Sequence, residues 1–189
     1  MTHRSAAIRI LGGLAAVLLV SLGLDAAQIV PAGSVSGQWP FDTVTGTTTP
    51  DLSGNGNTAT LVGGPTAVAG LVGTAMQFNG SSQYLTAANS TSLDVASGSF
   101  SVAAWVRPGG TSNYRIINKW DNAKGWLFDI NATTSGTAAV GFIRAKMNDG
   151  TTNIDYSVSG PIAASVWQHI AMTVDRGANQ LKLFVKRVV

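Results

Sequence analysis

Any chemistry in this chain would have to come from very few side chains. All nine acidic residues are aspartate, glutamate and cysteine are absent, and His3 and His169 are the two histidines. Retaining glycoside hydrolysis needs two carboxylates about 5–5.5 Å apart. No Asp-x-Asp pair stands on an expected strand, and Asp129 and Asp155 stand singly. His169 has no partner set for a metal centre or a nucleophilic triad, so a structural role is expected for it. The chain reads as a binding protein and not as an enzyme.

Two groups of residues could do the binding. The first is Trp120 and Trp126 in the run NKWDNAKGW, with Tyr114, Arg115, Asn118 and Asp121 close by. A sugar ring presents an apolar face that stacks on an exposed indole, while Asn, Asp and Arg bond its hydroxyls. The other reading of the pair has Trp126 facing the core and Trp120 half-buried on a sheet rim, because tryptophan usually packs. The second group is Asp51, Asn55 and Asn57 in the loop DLSGNGN. Calcium takes oxygens from carboxylates, amides and backbone carbonyls, and this loop offers all three kinds. Alternatively, the same side chains satisfy the loop's own backbone donors. No other cofactor is required by any residue pattern.

These residues need a scaffold, and the pattern describes an all-β one. Phe100, Val102, Ala104 and Val106 alternate with Ser99, Ser101, Ala103 and Arg107, the period of a half-buried strand. Further strands are expected at Gln38–Asp42, Thr58–Val62, Ala75–Phe78, Gln83–Thr86, Tyr114–Lys119, Trp126–Asn131, Ala138–Lys146, Asn153–Val158, His169–Asp175 and Gln180–Val185. Turn signals separate them, and Asp149-Gly150 between alternating runs is the sharpest hairpin signal. Outside the first residues no segment has a helical period. Short strands at this spacing mean a sandwich or barrel.

Residues 1–27 look like a secretion signal, with His3, Arg4 and Arg9 ahead of an uncharged apolar run from Ile10 to Leu24. That run is shorter than the roughly 20 residues a membrane span needs and suits a signal core. An uncleaved N-terminal anchor is the alternative. Residues 28–38 form a Pro- and Gly-containing lead-in, and 39–189 the domain. The formal charge of +3 is too mild for nucleic acid, and no basic-aromatic interleaving supports one. A secreted or cell-surface location follows, with no membrane span once the signal is cleaved.

The order of several pieces resembles the laminin-G-like, or concanavalin A-like lectin/glucanase, jelly-roll domains. The pieces are Trp39-Pro40-Phe41-Asp42, the Asp51–Asn57 loop, Ala75–Gly80 with Tyr84, Phe100–Pro108, and Trp167-Gln168-His169-Ile170-Ala171-Met172-Thr173. The resemblance implies a two-sheet antiparallel sandwich and a structural Ca²⁺ near the Asp51 loop. It also implies closing strands beyond Gln180–Val185 with an aspartate that completes the calcium site. The chain shows Lys186-Arg187-Val188-Val189 there, so a sandwich without its closing strands is expected. The functional expectation is an exported, non-catalytic module whose partner is a glycan. A protein–protein adhesion or spacer domain is the second reading. A lyase or hydrolase on the same fold is a third, and it fails on the missing carboxylate pair.

Overall fold

The computed structural model describes residues 8–16, 35–95, 98–109, 114–121, 124–133 and 140–187. Most of the expected signal (1–7 and 17–27) and the first part of the lead-in (28–34) lie outside the described residues. The described strands are β1 (Ile8–Ala16), β2 (Thr48–Thr49), β3 (Ala59–Val62), β4 (Thr66–Ala69), β5 (Thr74–Ala87) and β6 (Phe100–Val106). They continue with β7 (Tyr114–Asp121), β8 (Lys124–Thr133), β9 (Val140–Asn148), β10 (Asn153–Ile162), β11 (Gln168–Asp175) and β12 (Gln180–Arg187). A 3₁₀ turn covers Thr91–Leu93.

The strands make two antiparallel sheets. One runs β10-β9-β8-β7-β1-β5-β3-β2, with β4 also on β5, and the other runs β12-β11-β6. The fold is an all-β sandwich, as the alternation requires. Ala104 pairs with Ile170 and Val102 with Met172 across β6 and β11. Ala104, Val106, Ile170 and Met172 lie in the central core, Phe100 and Val102 pack against it, and Val174 is buried. A slip of one residue would turn that whole apolar set to solvent. The facing sheet contributes Met76, Phe78, Leu85, Ile116, Ile117, Phe128, Ile130 and Ile143.

Two expectations need correction. Gln38–Asp42 is not a strand. Pro40 offers no N–H to a ladder, and Phe41 takes a left-handed backbone angle (φ 68°) while its ring is fully buried. That conformation costs a non-glycine residue roughly 1–2 kcal/mol, and burial of the ring holds it. Ala75–Phe78 and Gln83–Thr86 are two ends of one strand, β5. Between them Asn79 Oδ1 accepts the backbone N–H groups of Ser81, Ser82 and Gln83, so the chain bulges without leaving the sheet. Ile8–Ala16, within the run expected to serve as a signal, pairs with β5 and β7 in the larger sheet.

The Asp149-Gly150 turn forms as the sequence indicates. Asp149 Oδ1 accepts from the N–H groups of Thr151 (2.8 Å) and Thr152 (2.7 Å), and Gly150 supplies φ 99°. Hydrogen bonds from the Thr152 and Thr151 N–H groups, joined by the Thr151 hydroxyl, bring the Asp149 carboxyl down to about 2. β12 is an edge strand, with Phe184 and Val185 exposed on it. Among the described residues no helix is long and apolar enough to cross a membrane.

Candidate binding site

β7 and β8 form a hairpin in which Asp121 pairs with Lys124 and Trp120 with Gly125. Successive side chains on a strand point to opposite faces, so the hairpin sorts the six candidate residues. Trp126 goes inward. It is 8 % exposed, joins the core cluster, and its ring lies 5.3 Å from that of Phe100. Tyr114 also packs against the core. Asn118 and Trp120, two positions apart, share the opposite face. Arg115 and Asp121 are exposed. The expected two-tryptophan platform is therefore a single indole, Trp120, with polar neighbours.

The neighbours come from β8, β9 and β10 by register. Asn118 pairs with Leu127 and Leu127 with Lys146; Arg115 pairs with Asp129 and Asp129 with Arg144. Lys146 Nζ stands 5.8 Å from the centroid of the Trp120 ring. Arg144 grips Asp129 with two parallel hydrogen bonds, Nε to Oδ1 at 3.0 Å and Nη2 to Oδ2 at 2.7 Å. Its third nitrogen lies 3.7 Å from Asp155. The bond to Asp129 raises the Arg144 guanidinium above its ordinary range against the opposing effect of burial. Asn118 is 5 % exposed, and its Oδ1 has no hydrogen-bond partner among the described residues. A buried acceptor without a donor costs free energy.

Asp129, Arg144 and Lys146 were not singled out by sequence reasoning. The one linear signal is an aspartate in the middle of Trp126-Leu127-Phe128-Asp129-Ile130, since an acid in an apolar strand demands a cation. Nothing in the sequence says that Arg144 is the cation.

The Asp51 loop is ordered by its own hydrogen bonds. Asp51 Oδ1 accepts from the N–H groups of Gln38 (2.8 Å) and Ser53 (2.9 Å). Oδ2 accepts from the Ser53 hydroxyl (2.7 Å) and the Asn57 N–H (2.9 Å). Asn55 Nδ2 donates to the Val35 carbonyl and Asn57 Nδ2 to that of Ser36. Asn57 Oδ1 accepts from the Ser90 hydroxyl at 2.6 Å. The carboxylate is spent on backbone donors, which is how the loop seats Trp39, whose Nε1 donates to the Asn57 carbonyl at 2.7 Å. Among the described residues no three His, Cys, Asp or Glu side chains gather as a metal group would require.

Burial pushes the Asp51 carboxyl up, but the bonds from Ser53, Gln38 and Asn57 outweigh it and hold the group below its ordinary range. A carboxyl depressed on folding stabilises the native state above its unfolded pKa, and that stability is lost as pH falls through the folded value. Asp51→Ala strands three backbone donors and should cost about 2 kcal/mol at neutral pH by urea unfolding. The loss should shrink on acidification and should not depend on added calcium or chelator. A melting temperature that drops on chelation, with the drop abolished by Asp51→Ala, would place a calcium ion there instead.

His169 pairs across strands with Trp105, ring centroids 5.1 Å apart and edge to face. Burial and then the charge of Lys186 push its imidazole below the ordinary range, and the contact is one of packing. A separate shallow cleft is lined by Gln77, Arg107, Ser165 and Trp167. There Arg107 Nε already donates to the Ser165 carbonyl at 3.0 Å.

With this geometry in place, the comparison with known families is decisive. The sequence profile of the family described as Clostridium neurotoxin, N-terminal receptor binding, matches residues 46–189. The chain belongs to that family. The match corrects the resemblance to laminin-G-like domains: the Trp39, Asp51-loop and Trp167–Thr173 pieces are places where an antiparallel sandwich turns or packs, so they mark the architecture and not that family. The match likewise lends no support to a calcium ion. No curated protein and no solved structure matches the chain. Membership supports a binding module.

Proposed function

We propose that this chain is an exported receptor-binding module that takes a glycan on the outer face of β7, β8 and β9. The observation that carries the reading is the juxtaposition of Trp120, Lys146 over one face of its ring, and the unpartnered Oδ1 of buried Asn118 on one side of the sheet. A sugar ring stacked on Trp120 would place hydroxyls toward Asn118, and the Arg144–Asp129 pair would hold the floor. The family's description as receptor-binding supports a partner on a cell surface, and export fits the basic start and apolar run of residues 1–27.

A glycan array tests the reading. Wild-type protein should retain a defined sugar class. Trp120→Ala should weaken that retention at least about fivefold, a little under 1 kcal/mol and within the worth of an aromatic contact, with an unchanged melt. A second reading, a protein receptor, rests on exposed Ile154 and Tyr156 on β10 and Phe184 and Val185 on β12. It gains if no sugar is retained and lysine substitutions at those four positions abolish attachment to cells.

A further inference from the structure

Strands β2 to β12 all fall inside the family match of 46–189, and β1 falls outside it. Yet β1 joins the larger sheet. On one side of it stand β2, β3, β4 and β5, and on the other β7, β8, β9 and β10. β5 and β7 do not pair with each other. Remove Ile8–Ala16 and two four-stranded halves remain, both backed by the same core, since Met76, Phe78 and Leu85 of β5 cluster with Ile116 and Ile117 of β7. Strands lie about 4.7–4.9 Å apart, so the gap is two spacings wide, roughly 10 Å. That admits one extended strand. It does not admit a helix, which is about 10–12 Å across with its side chains.

The pairing of the occupant is uneven. Against β5, Ile8, Arg9, Ile10 and Leu11 oppose Ala87, Thr86, Leu85 and Tyr84 without a break. Beyond them the register shifts twice, about Gly13, before Ala16 meets Gln77. Against β7 only Ile8 and Arg9 pair, with Lys119 and Asn118. Of its two neighbours, β1 is therefore held mainly by β5, along most of its length, and by β7 at one end. Backbone pairing to a sheet edge is a general mode of peptide recognition.

We propose that the gap between β5 and β7 is a strand-acceptor site for an extended aliphatic peptide running antiparallel to both neighbours, and that the chain's own Ile8–Ala16 is its ligand. Loss of the N-terminal residues then opens two sheet edges inside the fold, and the same segment supplied from outside closes them.

The test uses the full chain, produced without export so that its N-terminus is retained. Its sequence has no cysteine, so paired substitutions report proximity directly. Adjacent antiparallel pairs alternate between the two Cα spacings of the ladder, about 4.5 and 5.5 Å, both within disulfide range. At least one of R9C/T86C and I10C/L85C should therefore oxidise to an intramolecular disulfide. Ile10→Pro should raise hydrogen exchange at residues 84–87 and 118–119 by about tenfold or more, because proline is excluded from a central strand. A synthetic peptide of residues 8–16 should restore protection at both stretches, and the same peptide carrying proline should not. The proposal is overturned if neither cysteine pair closes, or if exchange at the two stretches is the same with and without Ile10→Pro. If that variant unfolds globally, the disulfides alone decide.

Discussion

Arg144→Ala should destabilise the protein by about 3 kcal/mol, most of the cost expected for orphaning one member of a buried ion pair. The Asp129 carboxylate left behind is 7 % exposed and loses both of its Arg144 hydrogen bonds. The reverse change should cost less. In Asp129→Ala, Arg144 retains Asp155 at 3.7 Å and a side chain 23 % exposed to water. The double replacement Asp129→Leu with Arg144→Met removes both charges and should recover most of the loss, since well-packed apolar pairs often match buried ion pairs. Urea unfolding of the three variants measures each of these losses. Equal losses in both single variants and no recovery in the double would mean that the pair acts through contacts other than its own charge.

Trp126→Ala should cost about 3–5 kcal/mol, the range for emptying a large aromatic site in a core. That is a large part of the 5–15 kcal/mol that holds a typical domain, and the variant should unfold early. Trp126→Phe should be milder, because a phenyl ring still fills most of the site. The indole Nε1 has no hydrogen-bond partner among the described residues, so phenylalanine loses packing volume and relieves an unpaired donor. Thermal melts of both variants check this. If Trp126→Ala instead leaves the melt untouched and removes ligand binding, Trp126 is a surface platform after all.

The contrast between Trp120 and Trp126 shows where reading the sequence stops. Both stand beside the same polar turn, six residues apart, and composition cannot tell them apart. Hairpin register does, because Trp120 falls opposite Gly125 and Trp126 opposite Lys119. The strands that alternate cleanly, β6 and β11, were legible to within one residue at their ends, since one face of each is buried and their inward sets are unambiguous. β2 is two residues long and β4 is built of Thr, Ala and Val, so neither rises above the background of small residues. β1 was hidden for a different reason. An apolar run has no period of two, and its Arg9 and leucines answer equally to export. The Asp51 loop was legible as an ordered loop but not as to what orders it; backbone donors 13 positions upstream and 6 downstream share its carboxylate. The Asp129–Arg144 pair depends on β8–β9 register, and no linear pattern carries it.

The central claim, that the outer face of β7–β9 is where the ligand binds, is tested most directly by calorimetric titration of the best-retained array sugar. Wild type, Trp120→Ala and Trp167→Ala would each be titrated. The account predicts that Trp120→Ala loses binding while Trp167→Ala, in the cleft beside Arg107, titrates like wild type. Binding that survives Trp120→Ala and disappears with Trp167→Ala would contradict it and move the site to that cleft.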